Sequence, residues 1–427
     1  MKHSLDQISV CSADARLATL FDMGQNCMFL RTDAPFSPAN SSIPLSNRKK
    51  LMPKTRTRDL EHWVPRLAEA GLAGDYQVLE NILVTLIRRT RTESPELSNE
   101  LGAVLARHTT NNGALRWSQV GPPPTESEEG FALVKTEVPD QSPAPIFTSE
   151  VFEPVNQFLR ERCNSERLFR EGFLPPSSLL LTGEPGTGKT MLARWLASVL
   201  ELPLLVQDLA VSISSYLGKT GFNLRRTLDY ARGRPCVLLL DEFDAIAKRR
   251  NDDSELGELK RIVNVILKEL EDWPSRSVIV AATNHPALLD KAIARRFHVI
   301  IDLPLPGHSE RYKILERAGA RFSDDVPREF LAACATLLQG RSGSDIESLM
   351  QAAVRRHLAT DTTVVQSIVL ELLRRSDRHS QARSIGYVVR ALQKASANKF
   401  SVRELASLFD RSVSTIQHHL RKDEDLG

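Results

Sequence analysis

The sequence predicts an α/β fold whose centre is a parallel five-stranded sheet, with helical regions on both sides along the chain. Between residues 148 and 308, five apolar segments alternate with helical segments, and each is nearly continuously apolar, as expected of strands buried on both faces. The first segment runs directly into a glycine-rich turn and a helix. That order is typical of doubly wound sheets, which bind ligands at the carboxyl ends of their strands.

The other segments are predicted from periodicity and composition. Apolar residues at helical spacing, including Leu79, Ile82, Leu83 and Leu86, indicate a helical module. A stretch rich in proline, serine and acidic residues then predicts a linker. In chain order we expect a weakly ordered segment 1–55, a helical module 56–118, a linker 119–147, an α/β domain 148–308, a helical lid 309–380 and a helix-turn-helix-like tail 384–423.

Composition narrows the class of protein. The formal net charge of the 427 residues is only +3, so no global field points to nucleic acid. The five cysteines are scattered without CxxC spacing, which argues against a disulfide framework or a zinc site. We find no signal peptide and no apolar run long enough to span a membrane. These features predict a cytoplasmic protein with no membrane association.

The string from Gly183 to Thr190 reads G-x-x-x-x-G-K-T. Its glycines allow backbone N–H groups to approach phosphate oxygens, and the following helix N-terminus adds positive potential. We expect Lys189 to reach the β- and γ-phosphates of ATP, and the Thr190 hydroxyl to bind Mg²⁺. The predicted nucleotide-binding residues of this loop are Gly183, Glu184, Pro185, Gly186, Thr187, Gly188, Lys189, Thr190 and Met191.

Polar side chains follow two further predicted strands at the same edge of the sheet. Asp241 and Glu242 end the apolar run CVLLL, where Asp241 can hold Mg²⁺ through water and Glu242 can act as general base for the attacking water. Asn284 ends the run SVIVAAT and can orient that water against the γ-phosphate. The alternative for Asn284 is an ordinary turn cap.

Arg295 and Arg296 directly precede the fifth predicted strand. One interpretation is a solvated basic pair. The other is an arginine finger, which enters a neighbouring subunit's site and neutralises charge in the transition state of phosphoryl transfer. The second interpretation makes hydrolysis depend on assembly.

In this order the strings GEPGTGKT, LLLDEFDAIA, AATN, ARRF and GRSGSDIESL resemble the AAA+ ATPases over residues 150–360. The resemblance implies a P-loop AAA+ module with a helical lid, assembled into a ring that is usually a hexamer. It also implies that Gly343 and Ser344 lie beside the adenine. The adjacent arginines are similar to those of katanin, spastin and the ESCRT-disassembling ATPases, so both are finger candidates. The region from Tyr216 to Leu305 further resembles bacterial AAA+ proteins found beside subtilisin-like proteases.

Tyr216, Leu217 and Gly218 stand where AAA+ unfoldases carry an aromatic-hydrophobic-glycine loop that faces a central pore. The resemblance implies that the aromatic ring grips an extended polypeptide; the alternative is a tyrosine buried in the fold. Lys219 follows where many relatives have Glu, and the charged stretch 248–261 takes the place of a second pore loop. The sequence contains neither HExxH nor GxSxG, so any proteolysis would require a separate protease.

Residues 400–422 resemble a helix-turn-helix, with Asp410 where the turn usually has glycine. An aspartate tolerates the left-handed backbone that such a turn requires. The second helix offers side chains to a DNA major groove, although a helix pair that contacts protein is the alternative. The candidate DNA-contacting residues are Arg403, Arg411, Ser414, Thr415, Gln417, His418 and Arg421.

Together these features predict an oligomeric ATPase that uses ATP and Mg²⁺ to remodel or unfold a protein substrate. Two alternatives remain: a DNA-directed ATPase addressed by the tail, and a switch in which ATP gates assembly and the tail represses transcription. The N-terminal helices would recruit a substrate or adaptor, or act as a spacer.

Overall fold

The structure is a computed structural model of the chain. It describes residues 55–74, 76–110, 133–138, 143–215, 220–245, 265–289, 291–322, 326–375, 385–395, 400–409 and 411–421. The chain divides into two units, Met1–Thr57 and Arg58–Gly427. Nearly all of the first unit lies outside the described residues, and apart from 55–57 the described residues belong to the second. Among the helices of the described ranges, none combines the length and the apolar character that crossing a membrane requires.

The N-terminal helical module has a small core of its own. Its helices are α1 (Thr55–Ala73), α2 (Tyr76–Thr90) and α3 (Pro95–Thr110). Leu83 and Ile87 of α2 pack with Leu105 of α3, and Phe169 from the α/β domain completes the cluster. The helical periodicity of the sequence therefore corresponds to a buried face, and that face is shared with the α/β domain.

The centre of the α/β domain is a six-stranded sheet in the spatial order β1-β3-β4-β5-β2-β6. Its strands are β1 (Lys135–Glu137), β2 (Ser178–Gly183), β3 (Leu204–Asp208), β4 (Val237–Asp241), β5 (Val278–Thr283) and β6 (Val299–Leu303). Strands β2 to β6 pair in parallel and correspond to the five predicted segments, which confirms the predicted fold class. Their shared direction brings all five carboxyl ends to one edge.

Strand β1 was not predicted. It pairs antiparallel with β3, with Lys135 opposite Val206 and Glu137 opposite Leu204. It lies inside the 119–147 interval that composition predicts as a linker, so part of that interval belongs to the sheet. Three residues with two charges carry too little alternation to indicate a strand, and the pairing is set by the neighbouring strand instead.

Successive side chains of each strand point to opposite faces of the sheet. Both faces are apolar, and helices cover each of them to form two hydrophobic cores. Leu179 and Leu181 pack with α4 (Ser149–Cys163) and α6 (Lys189–Val199), whereas Leu180 packs with α8 (Thr220–Arg232) and helical residues 265–271. The helices of this domain are α4 (Ser149–Cys163), α5 (Ser165–Arg170), α6 (Lys189–Val199), α7 (Leu209–Ser215), α8 (Thr220–Arg232) and α9 (Lys291–Ala294), with a 3-10 turn at Pro286–Leu288.

The lid and the tail share one hydrophobic core. Phe330 of the lid stacks edge-on against Phe400 of the tail at 6.3 Å between ring centroids. Gln366 Nε2 donates to the Ser407 carbonyl at 3.1 Å. The helices involved are α10 (His308–Ala318), α11 (Arg328–Leu337), α12 (Gly343–Ala359), α13 (Val364–Arg375), α14 (Ile385–Ala395), α15 (Val402–Leu408) and α16 (Val413–Arg421), with a 3-10 turn at Ala320–Phe322. The predicted separation of lid and tail therefore does not correspond to separate cores.

Candidate active site

The predicted phosphate loop lies between β2 and α6, at the carboxyl end of the sheet. Gly188, which directly precedes α6, has φ of 102°, a conformation that side chains other than glycine strongly disfavour. A side chain at Gly186 would place its Cβ 2.2 Å from Ser344 Oγ of the lid. Gly186 also has a positive φ, of 79°. The loop therefore needs glycine for its backbone at both positions, and at Gly186 also for the close approach of the lid. It ends at a helix N-terminus, where N–H groups and the helix dipole favour phosphate.

Lys189, the first residue of α6, lies at the floor of this loop with 7% of its surface exposed. Its Nζ donates to the Gly183 carbonyl at 2.9 Å and to the Glu184 carbonyl at 2.8 Å. Burial lowers the pKa of Lys189, and the nearby carboxylates of Asp241 and Asp244 act in the opposite direction. The ammonium is thus held in place by backbone carbonyl oxygens of the phosphate loop.

The side chains of Thr190 and Asp241 lie at hydrogen-bond distance. Thr190 Oγ1 donates to Asp241 Oδ2 at 3.0 Å, although 51 residues separate them. Hydroxyl and carboxylate oxygens are the donors that Mg²⁺ prefers, so the two side chains fit a magnesium ion held together with nucleotide phosphates. The other carboxylate oxygen, Asp241 Oδ1, accepts the Glu242 backbone N–H at 3.0 Å.

Glu242 has a left-handed backbone, with φ of 52°, and its side chain is exposed. Such a conformation costs a residue other than glycine about 1–2 kcal/mol. Backbone strain of this kind is concentrated at functional sites. Glu242 lines the same cavity as Lys189 and Thr190. The sequence placed it there only by its position after β4.

Asp244 is a site residue that the sequence analysis missed. Its side chain is 2% exposed, and Oδ1 accepts from Thr283 Oγ1 at 3.1 Å and from the Asn284 backbone N–H at 3.2 Å. This carboxylate ties the end of β5 to the end of β4 and so fixes Asn284 at the edge of the cavity. The signal was available, because Asp244 lies three residues after Asp241 in the same acidic string.

A cavity of about 360 Å³, a size that suits a nucleotide, is lined by Lys189, Thr190, Asp241, Glu242 and Asn284. Gly343 and Ser344 line it, and the Ser344 N–H donates to the Gly186 carbonyl at 3.2 Å. Their place beside the adenine stays a prediction. Sequence reasoning missed the rest of the wall, which consists of Pro145, Ile146, Phe147, Asp208, Ile314, Arg317 and Glu347.

Comparison with known proteins agrees with this geometry. Residues 179–305 match the family model of the ATPase family associated with various cellular activities (AAA). The chain therefore carries an AAA-family ATPase domain. The match begins in β2 and ends just after β6, so it covers the parallel strands together with the phosphate loop and the acidic end of β4.

Individual relatives agree on the AAA domain. The chain is 36% identical over 199 residues to an uncharacterized AAA family ATPase of Sinorhizobium fredii, covering 46% of this chain and 59% of that protein. It is 35% identical to the ATP-dependent zinc metalloprotease FtsH 3 of Sphaerobacter thermophilus (49% and 43%). It is 33% identical to the proteasome-activating nucleotidase of Methanoculleus marisnigri (47% and 50%). The matched region thus spans about half the length of these relatives.

Arg295 and Arg296 lie on the AAA domain but away from its cavity. Both side chains are exposed, and neither lines the pocket that contains Lys189. Phe297, the next residue, is buried and packs edge-on against Phe243 at 6.0 Å. This anchor holds the arginine pair at the surface, where Arg296 forms an ion pair with Glu271.

The predicted pore-loop residues Tyr216, Leu217 and Gly218 lie outside the described residues. The same holds for Lys219 and for the charged stretch 248–261. Within the described part, α7 ends at Ser215 and α8 begins at Thr220. The pore-loop assignment therefore stays a prediction.

Asp410, where the tail's turn is predicted, lies outside the described residues, so the helix-turn-helix stays a prediction. Hydrogen bonds are described on either side of it. The Arg411 N–H donates to the Ala406 carbonyl at 3.0 Å, which is the six-to-one bond of a Schellman helix end. Ser412 Oγ then accepts the Thr415 N–H at the start of α16. Most of the candidate contact side chains are exposed, namely Arg403, Arg411, Ser414, Gln417, His418 and Arg421, while Thr415 is half-buried.

Proposed function

We propose that this AAA domain binds and hydrolyses ATP at the carboxyl edge of its sheet. The observation that carries the proposal is the convergence of Lys189, the Thr190–Asp241 pair and Glu242 on one cavity of nucleotide size. These residues come from separate segments of the chain. A helix N-terminus, a lysine and an acidic pair are the elements that phosphoryl transfer uses.

Each side chain has a role that its position supports. Lys189 holds the β- and γ-phosphates, and Glu242 accepts a proton from the attacking water. Asn284, positioned by Asp244, orients that water. A magnesium ion bound by Thr190 and Asp241 would neutralise part of the phosphate charge. Gly343 and Ser344 close the cavity on the lid side.

Arg295 and Arg296 are proposed to act on the cavity of a neighbouring copy. In their own chain they are exposed and outside the pocket, so a contribution in cis would require them to move to it. A ring of subunits, by resemblance a hexamer, would place them against the next cavity. Hydrolysis per subunit should therefore rise with protein concentration, whereas nucleotide binding should not. A rate per subunit that stays constant on dilution to monomers would contradict the trans arrangement.

We further propose that hydrolysis drives the remodelling of a protein substrate in the cytoplasm. Support comes from the names of the relatives, which include a proteasome-activating nucleotidase and an ATP-dependent metalloprotease. The predicted pore residues Tyr216, Leu217 and Gly218 agree with this assignment. A separate protease is a candidate partner, because this sequence contains neither HExxH nor GxSxG.

Substrate trapping tests this second proposal. The Glu242→Gln variant with ATP should retain a protein bound, and the Tyr216→Ala variant should hydrolyse ATP without processing that protein. The matched control is Phe222→Ala, an exposed aromatic residue on α8 close to the predicted loop. Processing that survives Tyr216→Ala would exclude the pore-loop role.

A second candidate function is direction of the ATPase to DNA by the tail. The Schellman turn between α15 and α16 and the exposed basic side chains on α16 favour it. Because the tail shares its core with the lid, deletion would expose apolar surface, and point variants are the better test. Arg421→Ala and Gln417→Ala should weaken duplex binding, and the arginine variant should also reduce its salt dependence. Duplex binding that both variants leave unchanged would exclude this surface.

A further inference from the structure

A short strap, residues 143–148, runs between the α/β core and the lid beside the cavity. Phe147 packs on the α/β core, whereas Ile146 packs on the lid core. Phe147 also lies against the phosphate loop, because a Cβ at Gly188 would be 3.3 Å from its ring. The strap therefore contacts both bodies that enclose the nucleotide.

Arg317 fastens this strap to the lid. From α10 its Nη1 donates to the Ala144 carbonyl at 2.9 Å, and its Nη2 donates to Glu347 Oε1 of α12 at 3.1 Å. One guanidinium thus joins three elements that are distant in sequence. Both Arg317 and Glu347 line the cavity, and their side chains are each about one-third exposed.

The pairing also controls the charge of the cavity wall. Glu347 is a carboxylate on the lid wall of the cavity, and covering it with a base and sugar would be unfavourable unless the carboxylate is paired. Arg317 provides the opposite charge at hydrogen-bond distance. Removing Arg317 would therefore loosen the strap and expose an uncompensated negative charge at once.

We propose that Arg317 is a positioning residue that clamps the strap against the lid and so forms the wall for the nucleoside part of ATP. The inference rests on the proposed nucleotide binding. The phosphates are held by the loop and Lys189, which Arg317 does not contact. Affinity for the base and sugar should therefore depend on Arg317, and affinity for a bare phosphate chain should not.

The test compares ADP and inorganic tripolyphosphate binding to the full chain by calorimetry, with Mg²⁺ present. Arg317→Ala should weaken ADP binding about tenfold, as expected for the loss of charged hydrogen bonds, and leave tripolyphosphate within about twofold. Arg317→Lys should recover only part of the loss, because one ammonium lacks the planar fork that reaches two acceptors. Lys313→Ala removes an exposed cation from the same helix and is the matched control; it should bind ADP like the wild type.

A double variant distinguishes loss of the Arg317 clamp from a general disruption of the fold. Adding Glu347→Gln to Arg317→Ala should restore part of the ADP affinity, because the unpaired carboxylate is then gone. Equal losses for ADP and tripolyphosphate, or wild-type ADP binding by Arg317→Ala, would overturn the clamp and leave the proposed function standing. Wild-type protein that binds neither ligand would overturn the proposed function, and the clamp with it.

Discussion

The amino and carboxyl ends of the sheet differ in the surroundings of their charged side chains. At the amino end, Arg162 is half-buried and its Nη1 donates to the Ser275 carbonyl at 2.7 Å and to the Ser277 carbonyl at 3.4 Å. Glu80, reaching in from α2, accepts from Ser275 Oγ at 2.8 Å and is 4% exposed. At the carboxyl end, Glu242 is exposed at the cavity in a strained backbone.

This difference suggests that the amino end contributes to stability and the carboxyl end to catalysis. Burial lowers the pKa of Arg162 to about 10 even though Glu80 acts to raise it. At this end both side chains hydrogen-bond to protein groups. The carboxyl end leaves polar groups facing a cavity, where a ligand can satisfy them. We therefore expect substitutions at the amino end to change the free energy of unfolding, and substitutions at the carboxyl end to change catalysis.

The largest expected effect is at the carboxyl end. Glu242→Gln should lower kcat for ATP by about 10²–10⁴-fold, because a general base contributes that much, and should leave the melting temperature of the nucleotide-free protein unchanged. Phosphate release at saturating ATP and calorimetric melting measure the two quantities. Normal turnover by this variant would remove Glu242 from the mechanism.

The next effect concerns the amino end. Glu80→Ala should lower the free energy of unfolding by about 2–4 kcal/mol, because it leaves Ser275 unpaired and Arg162 without its nearby negative charge. ADP affinity should not change. Denaturant unfolding and calorimetry measure these outcomes, with exposed Glu100→Ala on α3 as the control. A loss of ADP affinity without a loss of stability would contradict the assignment of the amino end to stability.

A smaller effect distinguishes two strained glutamates. Glu201, at the end of α6, has φ of 54° and occupies the Schellman position where glycine is preferred, since the Leu202 N–H donates to the Ala197 carbonyl. Glu201→Gly and Glu242→Gly should each raise the free energy of unfolding by at most about 1 kcal/mol. Only Glu242→Gly should abolish turnover. Equal activity in both variants would show that the strain at Glu242 serves no catalytic purpose.

The smallest effect lies at the sheet edge. The hydrogen bond from Arg194 and the contact with Lys135 lower the pKa of Glu137 from 4.5 to about 2, although burial opposes them. A lowered carboxyl pKa stabilises the fold above its unfolded pKa, so this contribution is present above pH 4.5 and is lost as the pH falls towards 2. Glu137→Gln should therefore lose less stability than the wild type between about pH 6 and pH 3. Parallel acid unfolding curves would contradict this.

The sequence predicted the parallel strands and the centre of the site because both are local patterns. Each apolar run is a strand. Asp241 ends β4, Glu242 follows it directly, and Lys189 comes at the end of the loop after β2. The strap and its clamp could not be predicted in this way. Arg317 and Ala144 are 173 residues apart, and nothing in either neighbourhood indicates the other.

Local sequence patterns predict the helices of the tail but not the surface against which they pack. Its helices and turn are local features, and the structure contains both α15 and α16. Its burial against the lid depends on contacts such as Phe330 with Phe400, which arise only in the folded chain. Periodicity gives each helix an apolar face and does not identify the surface that covers it.

The most direct test of action between subunits mixes two inactive variants. Lys189→Ala should not bind ATP but keeps its arginines, whereas the double variant Arg295→Ala, Arg296→Ala keeps its cavity and loses the arginines. Each should be inactive alone. If the arginines act on the neighbouring cavity, an equal mixture should recover about a quarter of the wild-type ATPase rate when subunits associate at random. A mixture as inactive as its components, or an arginine variant with full activity on its own, would contradict a site shared between two copies of the chain.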